Sequence, residues 1–205
     1  FPYTTLFRSL NERMNVVVID LKTRKAQALT NFTDIDAVYI RWVGDERIVF
    51  SLGNYNDPSM TREIPTGGGL FVVNRDGSGY RKLSDSVQQA LGQGAFNYRY
   101  LSLLKTIPGS TDEIIATGNL TVGDARDVYR VNLNTGKTTL LSLGRPAIQA
   151  SGWILDRQLV PRVVMGGIKK TNTAVVHYRA SAQSAWKEIA RFDMFKGPAM
   201  VPQIG

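Results

Sequence analysis

The chain has 205 residues, no cysteine, one histidine (His177) and 25 Lys+Arg against 17 Asp+Glu, for a formal charge of +8. Those counts exclude a disulfide framework, a thiolate metal site, a cysteine nucleophile and a multi-histidine metal centre. With 43% hydrophobic and 20% charged residues the composition is that of a globular protein, and no apolar run approaches the ~18 residues of a membrane span.

The first nine residues, Phe1-Pro2-Tyr3-Thr4-Thr5-Leu6-Phe7-Arg8-Ser9, match the translation of a common short-read sequencing adapter at every position. Residues 1–9 are therefore expected to be a foreign segment and are set aside from fold reasoning. With no starting Met and an abrupt Pro202-Gln203-Ile204-Gly205 end, residues 10–205 are expected to be one incomplete domain, cut at both ends.

In chain order, short β-rich runs come in pairs around polar turns, and no 3.6-residue period is sustained. Val16–Leu21 and Ala26–Thr30 flank Lys22-Thr23-Arg24-Lys25. A second kind of pair follows, Val38–Val43 and Arg47–Ser51 around Gly44-Asp45-Glu46. The segment Asn54–Thr66 is longer than its counterparts and is either a plain surface insertion or a loop with contacts to a partner or ligand.

The first kind of pair returns at Leu70–Asn74 and Tyr80–Ser84, around a turn holding Asp76-Gly77. Next come Tyr98–Leu103 and Glu113–Thr117, a pair of the second kind, and Val128–Leu133 with Lys137–Ser142 around Asn134-Thr135-Gly136. Gly152–Asp156 with Pro161–Met165, then Ala174–Arg179 with Trp186–Ala190, complete the series. A glycine in these turns supplies the positive φ of a tight hairpin, because it has no Cβ to clash.

Pairs of the first kind start near residues 16, 70, 128 and 174, a spacing of roughly 46 to 58. Two hairpins per repeat make four strands, the content of one propeller blade. The fold class expected is all-β: a partial β-propeller of about three and a half four-stranded antiparallel blades. A sandwich or barrel has no reason to alternate two hairpin types at a fixed period. Standing alone, such a segment is expected to form an open arc with unpaired edges.

No residue is assigned to catalysis, to a cofactor or to a metal. There is no Gly-x-Ser-x-Gly elbow, P-loop, His-Glu-x-x-His or dinucleotide fingerprint. Gly67-Gly68-Gly69 precedes a strand and reads as a loop end. His177 sits mid-strand and reads as structural or solvent-facing, while Asp34, Asp36, Asp124 and Asp127 read as turn caps. Trp42, Trp153 and Trp186 read as packing between blades, and Asn31-Phe32-Thr33 and Asn119-Leu120-Thr121 as chance sequons. Lys22/Arg24/Lys25, Arg81/Lys82 and Lys169/Lys170 are short basic groups, expected on a solvated rim rather than on a nucleic-acid patch.

Several blocks in order, Arg41–Phe50, Gly69–Gly77, Asp127–Lys137, Trp153–Asp156 with Pro161-Arg162-Val163, and Tyr178-Arg179 with Trp186 and Ile189–Phe192, resemble the N-terminal β-propeller of bacterial prolyl oligopeptidase family serine peptidases, the branch with dipeptidyl and acylaminoacyl peptidases. The resemblance covers most of residues 14–195 and lies in the order of the blocks. It implies a substrate-gating propeller that caps a C-terminal α/β-hydrolase domain, with short peptides as substrates and a Ser-Asp-His triad outside this chain. Neither triad nor substrate clamp is assigned to a residue here, so the parent would be the enzyme. The alternative is a non-catalytic propeller scaffold of Tol or WD type. The Ser-Pro-Asp-Gly turn common in Tol-type blades is absent, and propeller enzymes with an active site in the ring itself form a third class.

Overall fold

The computed structural model describes residues 12–54, 68–94 and 98–196 with their side chains, Gln88 excepted, and residues 3–10 as backbone. The segment Asn54–Thr66 lies, beyond Asn54, outside the described residues, as do Gly67 and the last residues of the chain.

Fifteen strands and one short helix form four antiparallel sheets among the described residues. The first sheet has three strands, β1 (Tyr3–Leu10), β2 (Arg13–Asp20) and β3 (Ala26–Ala28), in that order. The second runs β4 (Asp36–Val43), β5 (Arg47–Gly53), β6 (Gly68–Asn74), β7 (Arg81–Ser86). The third holds β8 (Leu101–Thr106), β9 (Glu113–Gly118), β10 (Asp127–Asn132) and β11 (Thr138–Leu140), and the fourth β12 (Gln149–Leu155), β13 (Pro161–Gly167), β14 (Thr173–Tyr178) and β15 (Lys187–Asp193). Each four-stranded sheet takes its strands in sequence order, two hairpins to a sheet, which is the up-and-down blade of a β-propeller. The fold class is a partial β-propeller, as the two alternating hairpin types require.

Residues 3–9, set aside on the sequence, are in strand conformation together with Leu10, and pair with β2 from Tyr3↔Asp20 to Leu10↔Arg13. One helix was not expected: α1 (Val87–Gly92) follows β7. Its start is a capping box in which the Ser86 hydroxyl accepts from the Gln89 amide at 3.2 Å and the Gln89 side chain accepts from the Ser86 amide at 3.1 Å. Six residues are too few to show a helical period, so the Ser-x-x-Gln spacing is the only sequence signal it leaves.

By packing, the chain divides into two compact units, Phe1–Ala116 with Val131–Lys137, and Thr117–Arg130 with Thr138–Gly205. In the first, Val16 and Val18 of β2 meet Ile48, Phe50 and Leu52 of β5 and Phe71 and Val73 of β6 in one core, with Phe50 and Phe71 stacked at 5.5 Å. These residues recur at every second position because alternate side chains of a strand share a face. The intervening Val49, Leu70 and Val72 are buried as well, so Ile48–Phe50 and Leu70–Val73 read as apolar runs covered on both faces. In the second unit Trp153, Val163, Val164, Val175 and Val176 form the buried part of the fourth sheet.

The first-kind hairpins repeat down to single hydrogen bonds. In the first sheet the Asp20 amide donates to the Lys25 carbonyl at 3.0 Å and the Arg24 amide to the Asp20 carbonyl at 2.7 Å. In the third, 112 residues on, the Asn132 amide donates to Lys137 at 2.9 Å and the Gly136 amide to Asn132 at 2.8 Å. The Asp20 carboxylate accepts from the Lys22 and Thr23 amides, and the Asn132 side-chain oxygen accepts from the Asn134 and Thr135 amides. Both are Asx-turns, in which a short polar side chain stands in for a turn of backbone.

Candidate functional site

Alternation along an extended chain puts His177 and Arg179 on the same face, two residues apart at the end of β14. The loop from residue 180 to 186 returns to β15, and its Ser184 amide closes on the Ser181 carbonyl at 3.2 Å. A hollow of about 540 Å³ opens there, within the second unit, with Leu143, His177, Arg179, Gln183, Ser184 and Trp186 in its wall.

Arg179 is the anchor of that wall. It is only 4% exposed, and its guanidinium donates from Nε to the Pro161 carbonyl at 2.7 Å and from Nη1 to the Ala182 carbonyl at 3.1 Å. The guanidinium carbon lies 4.6 Å from the centre of the Trp186 ring, a cation–π contact. Trp186 in turn meets Trp153 edge-on at 6.1 Å, and the Trp153 indole donates to the Arg126 carbonyl at 2.6 Å. Trp153 and Trp186 therefore meet within the fourth sheet and its connecting loop, a pairing their sequence positions did not reveal, while the Trp153 indole also reaches the residue that precedes β10 of the third sheet.

Two ring nitrogens in the wall are buried without a hydrogen-bond partner among the described residues, Nδ1 of His177 and Nε1 of Trp186. His177 Nε2 stands 4.0 Å from Glu188, its cross-strand neighbour on β15. Burial pushes the His177 pKa down, Glu188 pulls it up and the charge of Arg191 lowers it further. Burial first, then the charge of Arg162, lowers that of Arg179. Ser184 is hydrogen-bonded to Ser181 at 2.8 Å, and no hydroxyl among the described residues pairs with His177. Among the described residues this wall presents no activated nucleophile.

Of the acidic residues read as turn caps, Asp34 and Asp124 lie exposed in a bend and a turn, whereas Asp36 and Asp127 sit differently. Asp36 and Asp127 are the first residues of β4 and β10, both buried, and each ties a strand to a neighbouring segment. Asp36 accepts from the Met14 amide at 2.8 Å and faces Arg13 at 3.7 Å. Asp127 accepts from the Ser142 hydroxyl at 2.9 Å and is ion-paired with Arg145. Asp124 is exposed and paired with Lys169 at 2.9 Å. Gly68 and Gly69 open β6 rather than ending a loop, and a Cβ on Gly69 would stand 2.7 Å from the Phe71 ring. Asn119 is buried with its amide on the Gly123 carbonyl, which removes it as a glycan acceptor. The three short basic groups are exposed, with Arg81 and Lys82 on β7. No set of three His, Cys, Asp or Glu side chains among the described residues is placed to hold a metal ion.

No family model and no curated protein matches the chain. Among solved structures it is similar in fold to an oligogalacturonate lyase in complex with manganese, with a TM-score of 0.53 and 14% identity over 87% of this chain and 42% of that one. It is likewise similar to the oligogalacturonate lyase of Vibrio parahaemolyticus, with a TM-score of 0.50 and 13% identity over 85% and 42% of the two chains. Both are β-propeller proteins, and at such identities the likeness is one of fold. The class is therefore a β-propeller segment, spanning less than half the length of the structures it matches.

Proposed function

We propose that this chain is the access-controlling propeller part of a larger serine peptidase of the prolyl oligopeptidase family, one that acts on short peptides. In this reading the catalytic α/β-hydrolase domain follows in the same polypeptide, and the propeller selects what reaches it. The support is the order of the blade blocks from Arg41–Phe50 to Ile189–Phe192, now placed on successive sheets of one partial propeller. Two charged residues of those blocks are spent on ion pairs within the blades: Asp127 holds Arg145, and Arg162 bridges Asp156 at 2.9 Å. That division of labour suits a module that gates and leaves the bond-breaking step elsewhere.

Reading the coding DNA beyond Gly205 tests this directly. A continuing frame with a Gly-x-Ser-x-Gly elbow, followed by cleavage of short chromogenic peptides by the full-length protein, is the expected result. A frame that adds blades and then stops would replace the peptidase with a non-catalytic scaffold.

A further inference from the structure

A buried guanidinium ordinarily faces a carboxylate, because removing the charge from water costs several kcal/mol unless it is paired. Arg145, with an 11% exposed side chain, has Asp127, and even the more exposed Arg162 and Arg191 have Asp156 and Glu188. Arg179, with 4% of its surface exposed, has two neutral carbonyls and an indole face, and no carboxylate pairs with it among the described residues. It lines the hollow together with His177 and Trp186, whose Nδ1 and Nε1 are the two unpartnered ring nitrogens. A positive charge lacking its counter-ion asks for a negatively charged oxygen, and the Trp186 indole N–H, buried without an acceptor in the same wall, reports on what settles there. Leu143 and the Trp186 ring add apolar surface beside them.

We infer that the hollow is a binding site for a small ligand that carries an oxyanion, a carboxylate or a phosphate, on an apolar body. The site holds whichever protein the propeller belongs to, so its test is separate from that of the peptidase reading. The anion supplies the charge that Arg179 lacks, and the apolar body rests against Trp186 and Leu143. Bidentate recognition is not required: with Nε and Nη1 already donating, the remaining N–H groups of Arg179 meet the ligand.

The test uses the full chain, labelled with ¹⁵N at tryptophan, and follows the indole N–H resonance of Trp186. N-acetylphenylalanine, with its free carboxylate, is titrated against N-acetylphenylalaninamide, its neutral counterpart, and against inorganic phosphate. Saturable shifts with the carboxylate, at least about tenfold weaker for the amide, are expected. Competition by phosphate identifies a general oxyanion site, and its failure to compete identifies a carboxylate site. Gln183 is exposed, so Gln183→Glu leaves the fold intact while placing a negative charge at the rim. It should weaken carboxylate binding about tenfold. Arg179→Met should abolish binding, and if that variant fails to fold the Gln183→Glu result decides alone. Equal affinity for carboxylate and amide, no saturable shift at millimolar ligand, or an unchanged affinity in Gln183→Glu would each overturn the assignment.

Discussion

The hairpins of the first and third sheets are built on the same frame and locked by different chemistry. In the first, Asn15 accepts from the Thr30 hydroxyl at 2.9 Å, and that hydroxyl accepts from the Val16 amide at 2.9 Å. In the third, Asp127 accepts from the Ser142 hydroxyl at 2.9 Å, and that hydroxyl accepts from the Val128 amide at 3.1 Å. The Leu29 and Leu141 amides then donate to the Val16 and Val128 carbonyls, both at 2.8 Å. The neutral lock closes on carbonyls, since the Asn15 amide donates to Arg13 and Phe32 at 3.2 Å. The charged lock closes on Arg145. A repeat thus preserves which backbone groups must be satisfied and leaves open how. The second sheet shows the limit of that freedom. The matching position is Gly69, at φ 74° and hard against Phe71, and Ser84 turns to the Leu101 amide instead.

Exchanging the two chemistries breaks the comparison most sharply. In Asn15→Asp a carboxylate faces the Arg13 and Phe32 carbonyls with no hydrogen to donate and no exposure to water. A loss of about 4 kcal/mol is expected, read as a fall in urea midpoint at neutral pH, because one oxygen of a buried, uncompensated carboxylate faces two carbonyls while only the other keeps its donors, Thr30 and the Phe32 amide. A midpoint equal to that of the parent chain would show the lock to be indifferent to charge. The reverse exchange, Asp127→Asn, keeps an oxygen for Ser142 and Arg145 but leaves Arg145, with an 11% exposed side chain, without its counter-charge. The loss should be smaller, roughly 2 kcal/mol, and Asp127→Asn combined with Arg145→Met should recover part of it.

The turns offer a gentler exchange. Gly136 at φ 75° and Arg24 at φ 56° occupy equivalent left-handed positions, and a Cβ on Gly136 would meet no atom within 4 Å. Only backbone strain then separates the two residues. Gly136→Ala is expected to cost about 1 kcal/mol, and Arg24→Gly to gain about half as much, since the glycine also frees the unfolded chain. Thermal unfolding of the two variants side by side checks both signs; a stabilised Gly136→Ala would mean the turn had moved.

Much of this frame is legible in the sequence because hairpin turns and alternating apolar residues are local signals. Asn132 before Thr135-Gly136 announces its turn, and Ile48/Phe50/Leu52 announce a buried face. Asp36 and Asp127 mislead, since a short acidic residue beside polar neighbours looks like a turn cap until the segment it holds is seen. Arg24 gives no hint of its positive φ. The hollow is not read from the sequence, where His177 passes for a structural or solvent-facing residue: the burial of Arg179 against Trp186 and the missing carboxylate depend on how the 180–186 loop folds back.

The smallest expected effect separates the two Asx-turns by pH. The Thr23 amide above all, opposed by desolvation and assisted by Lys22 and the Thr23 hydroxyl, holds the Asp20 carboxyl below the usual carboxylate range. In the second sheet Ser78, hydroxyl first and then amide, does the same for Asp76. A carboxyl whose folded pKa is depressed contributes its stability above the unfolded value of about 3.9, and the contribution is lost as pH falls through the folded value. Asn132, holding the equivalent turn in the third sheet, has no proton to gain. On acidification the Thr23 and Ser78 amide resonances should therefore titrate while that of Thr135 moves far less, each amide reporting the acceptor it faces at 2.9 to 3.0 Å. A Thr135 shift as large as that of Thr23 would mean the third-sheet turn senses acid by another route, and the equivalence of the two turns would fail where it is most exposed to solvent.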